Sequence, residues 1–252
     1  MTQLTPETIL PYNDKESKSS QVRRMFNHIA EHYDRLNHTL SFGTDRNWRR
    51  DGIAYLKPFH PSAILDIATG TGDLAIEMAR RLAPTHVTGA DISEKMMDVG
   101  REKVRQAGLQ DAIAFDLQDC LSLTYPEASF DAVTAAFGVR NFGDIEQGLR
   151  EMYRILKPGG HVMILELSTP EHFPMRQLYH LYSRLFIPFV GRLVSGEGTA
   201  YQYLPASIRV VPQGQRMCQK LSDAGFSLVK ARTFTFGVCS MYTGEKQKQQ
   251  TN

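Results

Sequence analysis

A chain of 252 residues, 42% hydrophobic and 22% charged, can bury one sizeable core in the manner of an ordinary soluble domain. Its formal net charge of +2 argues neither for nor against nucleic acid at the level of the whole chain, and no run approaches the roughly 18–20 apolar residues of a membrane span. Three cysteines, Cys120, Cys218 and Cys239, form no CxxC pair and no zinc-like spacing with the histidines, so a reduced, cytoplasmic compartment and no metal are expected.

In chain order, residues 1–20 are polar, carry two prolines and lack a signal-peptide core, which predicts a flexible N-terminus. From Gln21 the pattern changes. Val22, Met25, Phe26, Ile29, Ala30 and Tyr33 share one face of an amphipathic helix. Tyr33, Asn37 and Phe42 then fall in a mixed aromatic, amide and charged stretch, placed to act as a flap over a site.

Ile64-Leu65-Asp66-Ile67-Ala68-Thr69-Gly70-Thr71-Gly72 reads as a strand breaking into a glycine turn, with a helix beginning near Leu74. Asp91 ends a second strand, Val87 to Ala90, at a distance that suits hydrogen bonds to ribose hydroxyls. The spacing Gly70-x-Gly72-x-x-Ala75 also fits a dinucleotide-binding turn. Asp66 inside the first strand and Asp119-Cys120 after a third apolar stretch separate the two readings. Acids at these places resemble those of class I S-adenosylmethionine-dependent methyltransferases. That likeness implies Asp66 among the cofactor-binding residues, Gly70, Thr71 and Gly72 at the methionine part, Asp91 at the ribose, and Asp119 and Cys120 at the adenine.

Further on, Ser93 caps a helix over Glu94–Gln106, with Met96 and Met97 turned inward. A fourth strand, Phe130–Ala136, delivers Arg140 and Asn141 to the carboxyl edge of a parallel sheet, where ligands lie. Arg140 is weighed there against a plain surface ion pair. Asp144 caps the next helix, Lys157-Pro158-Gly159-Gly160 ends it, and His161–Leu167 is the fifth strand. Strand and helix alternate as in a doubly wound, Rossmann-like α/β sheet. An insertion of about 168–212 follows, rich in aromatics that include Phe189, Tyr201 and Tyr203. From His172 to Ser222 its only acid is Glu197, against Arg176, Arg184, Arg192 and other bases. Met175, Leu178, Tyr182 and Phe186 make an apolar face, and Arg176, His180 and Arg184 a basic stripe, as in a lid that takes an apolar substrate and rests on an anionic membrane. A helix over 213–224 and strands over 227–234 and 238–243 close a single domain of 21–243, with 244–252 as a flexible tail.

Three motifs carry a narrower resemblance. They are Phe26-x-x-Ile29-Ala30-x-x-Tyr33-Asp34-x-x-Asn37 with Leu40-Ser41-Phe42-Gly43-x-x-Arg46-x-Trp48; Phe137-Gly138-Val139-Arg140-Asn141 through Leu165-Glu166-Leu167-Ser168; and Tyr203-Leu204-Pro205-x-Ser207-Ile208. Together they resemble the menaquinone/ubiquinone biosynthesis C-methyltransferase family. The family often has serine where Ala136 stands here. The resemblance implies a seven-stranded methyltransferase sheet with an N-terminal helical flap and a helical lid. It also implies methyl transfer from S-adenosyl-L-methionine to a ring carbon of a polyprenylated quinol, demethylmenaquinol. Arg140 and Asn141 would act on the ring oxygen, and Tyr33, Asn37, Phe42, Tyr201 and Tyr203 would form the substrate lid. His28, His32 and Tyr201 are the candidate bases. The expected setting is cytoplasmic, peripheral on the inner face of the membrane, without nucleic acid, and with a homodimer left open. A benzoquinol substrate, an N-methyltransferase and a non-catalytic scaffold stay open as alternatives.

Overall fold

The computed structural model describes residues 5–12, 14–186 and 199–248. Seven strands form one sheet: β1 (Ala63–Ile67), β2 (His86–Asp91), β3 (Ile113–Leu117), β4 (Phe130–Ala136), β5 (Leu156–Leu167), β6 (Ser227–Phe234) and β7 (Cys239–Glu245). Their order is β3-β2-β1-β4-β5-β7-β6. The first five pair in parallel, and β7 runs antiparallel to both β5 and β6. The sheet is therefore α/β and doubly wound, and its order reverses between β1 and β4, where a crevice opens at the strand ends.

The helices are α1 (Lys18–Ile29), α2 (Tyr33–Leu40), α3 (Asp45–Leu56), α4 (Asp73–Leu82), α5 (Glu94–Gln106), α6 (Ile145–Ile155), α7 (Met175–Leu181), α8 (Thr199–Val210) and α9 (Gln215–Asp223). The two-residue side-chain period of a strand sorts the core into two layers. Leu65, Ile67 and Val133 pack with Leu149 and Met152 of α6 on one face, while Ile64, Val87 and Ala132 pack with Ile53 of α3 and Met78 of α4 on the other. Both faces are covered, which is why β1 and β4 are nearly continuous apolar runs. A third cluster joins Val22, Met25, Ile29 and Leu36 to Ala200, Tyr201 and Tyr203, so the N-terminal helices and α8 share a core of their own.

Element boundaries differ from the sequence reading in three places. The polar N-terminal stretch already enters α1 at Lys18, capped by Ser17, and Lys18 is buried with its ammonium donating to the carbonyls of Pro6 and Arg140 at 2.8 and 3.0 Å. Helix α6 stops at Ile155, and Leu156 is the first residue of β5 rather than the last of the helix. Pro158 disfavours helical geometry at the residue before it, so the chain leaves the helix early. At the other end, β7 runs to Glu245, and Lys246 is buried with its ammonium on the carbonyls of Tyr153 and Arg154. Phe189, Arg192, Glu197 and the last four residues of the tail lie outside the described residues.

Candidate active site

The crevice is set by the turns that leave β1 and β4. Ala68 and Phe137 follow those strands directly, both with positive φ, 52° and 59°. Left-handed backbone at non-glycine residues carries strain on the order of 1–3 kcal/mol and persists where the surroundings enforce it. Here the two turns touch. A Cβ on Gly138 would stand 2.5 Å from the Cβ of Ala68, so only glycine lets them meet.

Beside them lies a cleft of about 60 Å³, walled by Ala68, Gly70, Asp91, Met96, Asp119 and Cys120 and roofed by Val22, Phe26 and Tyr33. Asp91 is fixed at its centre. One carboxylate oxygen accepts from the N–H of Gly70 at 2.8 Å, the other from that of Ser93 at 2.8 Å. Burial pushes its pKa up to about 6, against an ordinary 3.8, although the backbone N–H groups pull it down. Gly70 adopts φ +57°, and a Cβ there would press on Met96 at 3.2 Å. Asp119 caps its own turn by accepting from the N–H of Leu121 at 3.0 Å, and burial first, then Asp119, raises the thiol of Cys120 far above its usual range.

Three residues expected at the cofactor do not line this cleft. Asp66 is 1% exposed and lies beneath it, accepting from the hydroxyls of Thr69 and Thr134 at 2.7 Å each. It braces the turn to the sheet, and burial raises its pKa to about 6. Thr71 turns away and donates its hydroxyl to Asp34 at 2.5 Å. Gly72 is glycine for packing: with φ +77°, its Cβ would fall 2.8 Å from the ring of Phe115. Met96 does line the cleft, whereas Met97 is fully buried elsewhere in the molecule.

A second cavity, of about 290 Å³, is apolar. Leu40, Phe42, Trp48, Met175, Leu178 and Tyr182 line it, together with Arg140. The lid closes it by a hydrogen bond from the Tyr182 hydroxyl to the Leu40 carbonyl at 2.5 Å and by stacking of Phe42 on Phe186 with centroids 5.6 Å apart. A third, of about 40 Å³, lies between α1, α2 and α8, with Asn37, Arg140, Asn141, Tyr201 and Tyr203 in its wall. Tyr33 lines all three spaces.

Arg140 and Asn141 stand where these cavities meet, on the 3₁₀ turn Val139–Asn141 that follows β4. The ion-pair alternative for Arg140 is realised, but in the interior. Its guanidinium donates to Glu166 at 2.8 Å and to the carbonyl of Phe137, its own N–H donates to the other Glu166 oxygen at 3.0 Å, and both side chains are buried. Burial opposes the charge, yet Glu166 keeps the guanidinium protonated. Arg140 Nε, Asn141 Oδ1 and the Tyr203 hydroxyl are buried without a hydrogen-bond partner among the described residues. Polar atoms of this kind are rare in a native interior and mark a place for a polar group not yet counted. The Tyr33 phenol is held above its ordinary pKa by burial, so it is a donor at neutral pH.

His28 and His32 are exposed and line none of these spaces; of the expected bases only Tyr201 is brought close. Sequence reasoning missed the charged lattice behind the flap. Asp45 accepts from Arg49 at 2.6 Å, from His38 at 2.9 Å and from Ser41 at 2.5 Å. Lys103 bridges Asp34, at 2.7 Å, to Asp73. Burial works against ionisation of Asp73, but Arg49 and Lys103 hold its pKa below the ordinary value. Of the residues in this lattice only Asp34 and Ser41 belong to the first motif as quoted, and no local signal marks the rest. Among the described residues no cluster of His, Cys, Asp or Glu could hold a metal, and no helix is long and apolar enough to cross a membrane.

The described cleft fits a nucleoside cofactor carrying a sulfonium. It offers one anchored carboxylate at the second strand end, a glycine-lined approach to the backbone, and an apolar roof. The model of the ubiE/COQ5 methyltransferase family matches residues 14–246. A demethylmenaquinone methyltransferase of Bacteroides fragilis is 53% identical over 240 residues, covering 95% of this chain and 98% of that one. The ubiquinone/menaquinone biosynthesis C-methyltransferase UbiE of Geotalea daltonii is 41% identical, covering 91% of this chain and 97% of that one. Among solved structures, a SAM-dependent methyltransferase of Thermotoga maritima, described as a possible histamine N-methyltransferase, shares the fold with a TM-score of 0.60 at 17% identity, over 90% of this chain and 100% of that one.

Proposed function

The chain belongs to the ubiE/COQ5 methyltransferase family, and from that premise we propose that this S-adenosylmethionine-dependent C-methyltransferase methylates demethylmenaquinol to menaquinol. One observation carries the choice of an apolar-tailed phenol. Tyr33 lines both the cleft that holds the Asp91 carboxylate and an apolar groove, and the buried Arg140-Asn141 pair stands at the seam. Such a seam suits a ring that must meet a polar methyl donor on one side while its hydrocarbon tail runs away on the other.

S-adenosylmethionine, when bound, supplies an electrophilic methyl group. Asp91 would accept from the ribose hydroxyls with the lone pairs its two backbone donors leave free, and Asp119 and Cys120 would flank the adenine. Asn141 Oδ1 accepts the hydrogen of the ring hydroxyl next to the reacting carbon. A water molecule would take the hydroxyl proton, and Arg140 would stabilise the oxygen left behind, a pre-placed charge that needs no reorganisation during the reaction. The ring carbon would gain the methyl as the carbon–sulfur bond breaks, and water would then take the hydrogen from that carbon as a proton, restoring the aromatic ring. Tyr33 and Asn37 keep the ring plane facing the cleft, and Tyr203 offers a hydroxyl to the third cavity. Phe42 and the lid aromatics cover the tail, where each buried methylene contributes about 0.8 kcal/mol.

In this reading the enzyme is cytoplasmic and visits the inner face of the membrane as a peripheral protein to collect its substrate. Its three cysteines are free, as a reducing compartment requires. The test is turnover with radiolabelled methyl donor and two acceptors. Labelled menaquinol from demethylmenaquinol supports the reading, and transfer only to the ubiquinone-type benzoquinol, which the Geotalea relative's name also covers, would replace it.

A further inference from the structure

Beside the groove, on the outer side of α3, lies an open basin of about 460 Å³ lined by Arg46, Arg49, Arg50, Arg80, Arg81 and Lys103, with Asp73 and Glu77 as its carboxylates. The cations fall into two sets. Arg49, Lys103 and Arg81 are engaged by Asp45 and Asp73, by Asp34 and Asp73, and by Glu77 respectively. Arg46, Arg50 and Arg80 are exposed and form no ion pair with a described residue. Arg46 and Arg50 are one helical turn apart on α3, so their charges add on one face.

Next to this charge stands exposed apolar surface. Phe42, four residues before Arg46, is 72% exposed, with φ 51° holding it at the tip of the α2–α3 turn. Phe42 also lines the apolar groove, and Arg49 lines both groove and basin. On the lid that carries Met175, Leu178 and Tyr182 of the groove wall, Leu181 and Leu185 are 59% and 64% exposed. A nucleic acid would satisfy the arginines but leave the aromatic and aliphatic side chains in water. A bilayer offers phosphate and hydrocarbon side by side, in the order this surface presents them.

We propose that the Arg46–Arg50–Arg80 basin seats the protein on an anionic phospholipid bilayer, with Phe42 at the interface and the groove mouth facing the lipid. The proposal rests on the quinol reading for its purpose, but its binding test does not. Three unpaired arginines near an anionic surface give an attraction that salt screens within about a Debye length.

The experiment is flotation of the full chain with phosphatidylglycerol-containing or purely phosphatidylcholine vesicles, at low and high salt. Wild type should float with the anionic vesicles at low salt only. An Arg46→Glu/Arg50→Glu/Arg80→Glu variant should lose about tenfold or more of that partitioning. Its thermal transition and its methyl transfer to a short-tailed, water-soluble quinol should match wild type. A milder variant with glutamine at the three positions should bind between the two. Flotation of the glutamate variant as well as wild type, equal binding to neutral vesicles, or retention of RNA but not vesicles would each overturn the proposal. Failure of wild type to methylate the soluble quinol would instead strike the quinol reading and leave the flotation result standing.

Discussion

Glu166 holds Arg140 at two points, accepting from its guanidinium at 2.8 Å and from its backbone N–H at 3.0 Å. The pair is buried, so neither partner can be deleted cleanly. Removing one partner leaves an uncompensated charge in the interior, at roughly 3–5 kcal/mol. Alanine at either position should therefore lower stability first and activity second.

The informative substitution is Arg140→Lys. Lysine keeps one positive charge for Glu166 but lacks the planar fork and the Nε donor. Methyl transfer should fall about 10²-fold, while cofactor affinity and the thermal transition stay near wild type. Transfer at the wild-type rate would remove Arg140 from the chemistry and leave it a structural ion pair.

If Asp91 holds the ribose, it ties cofactor binding to pH. A carboxylate accepts best from hydroxyls when ionised, and burial has raised the pKa of this one to about 6. Affinity for S-adenosylmethionine should therefore climb as pH rises through 6 and level off above it. Asp91→Ala should lose roughly 1.5–3 kcal/mol of binding and most of that pH dependence. Calorimetry between pH 5 and about 8 reads both effects; an alanine variant with unchanged affinity would end the ribose assignment.

Asp66 makes an opposite contribution, to stability instead of binding. With its folded pKa raised to about 6 from 3.8, the folded state holds the proton more tightly than the unfolded chain does. Stability from this group is complete below the unfolded value and is lost as pH rises through the folded one, by about 3 kcal/mol in all for a shift of this size. Asp66→Asn is neutral at every pH and keeps an acceptor for one threonine hydroxyl. Denaturant unfolding of both proteins should show the variant gaining on wild type as pH rises from 4 to about 6. A constant difference would mean that the carboxyl is not desolvated.

The groove makes a prediction about substrate length. Leu178 lines it from the lid, and a carboxylate there would sit against the hydrocarbon tail. Leu178→Asp should raise KM several-fold for a long-tailed quinol and hardly change it for a tail-less one. Equal effects on both would place the tail elsewhere.

The sheet was legible because β1 to β5 are apolar runs set apart, except between β3 and β4, by helices of clear periodicity, with caps at Ser93 and Asp144 that accept from the N–H groups of Met96 and Gln147 as expected. The two closing strands were legible from their spacing, whereas their antiparallel pairing came only with the structure. Within the site, Gly70, Asp91, Asp119 and Cys120 converge as residue type and position suggested. Asp66, Thr71 and Gly72 do not, because a turn must be braced as well as lined, and sequence gives no means to tell a supporting carboxylate from a contacting one. Glu166 was hidden for a related reason: it sits in a strand of hydrophobic neighbours, and its role exists only through an arginine 26 positions away. The lattice around Asp45 and Asp73 likewise depends on four separate helices meeting, which no local pattern encodes.

Tyr33 borders the cofactor cleft, the apolar groove and the small polar cavity at once. A side chain shared in this way makes the two reactants thermodynamically coupled. Whatever one ligand does to the position of that ring alters the free energy of the other, and by linkage the effect is equal in both directions. The enzyme should consequently read its donor and acceptor as a pair, with the same change in affinity measured from either side. Measuring donor affinity with and without a quinol analogue gives the coupling directly, and Tyr33→Ala should bring it close to zero.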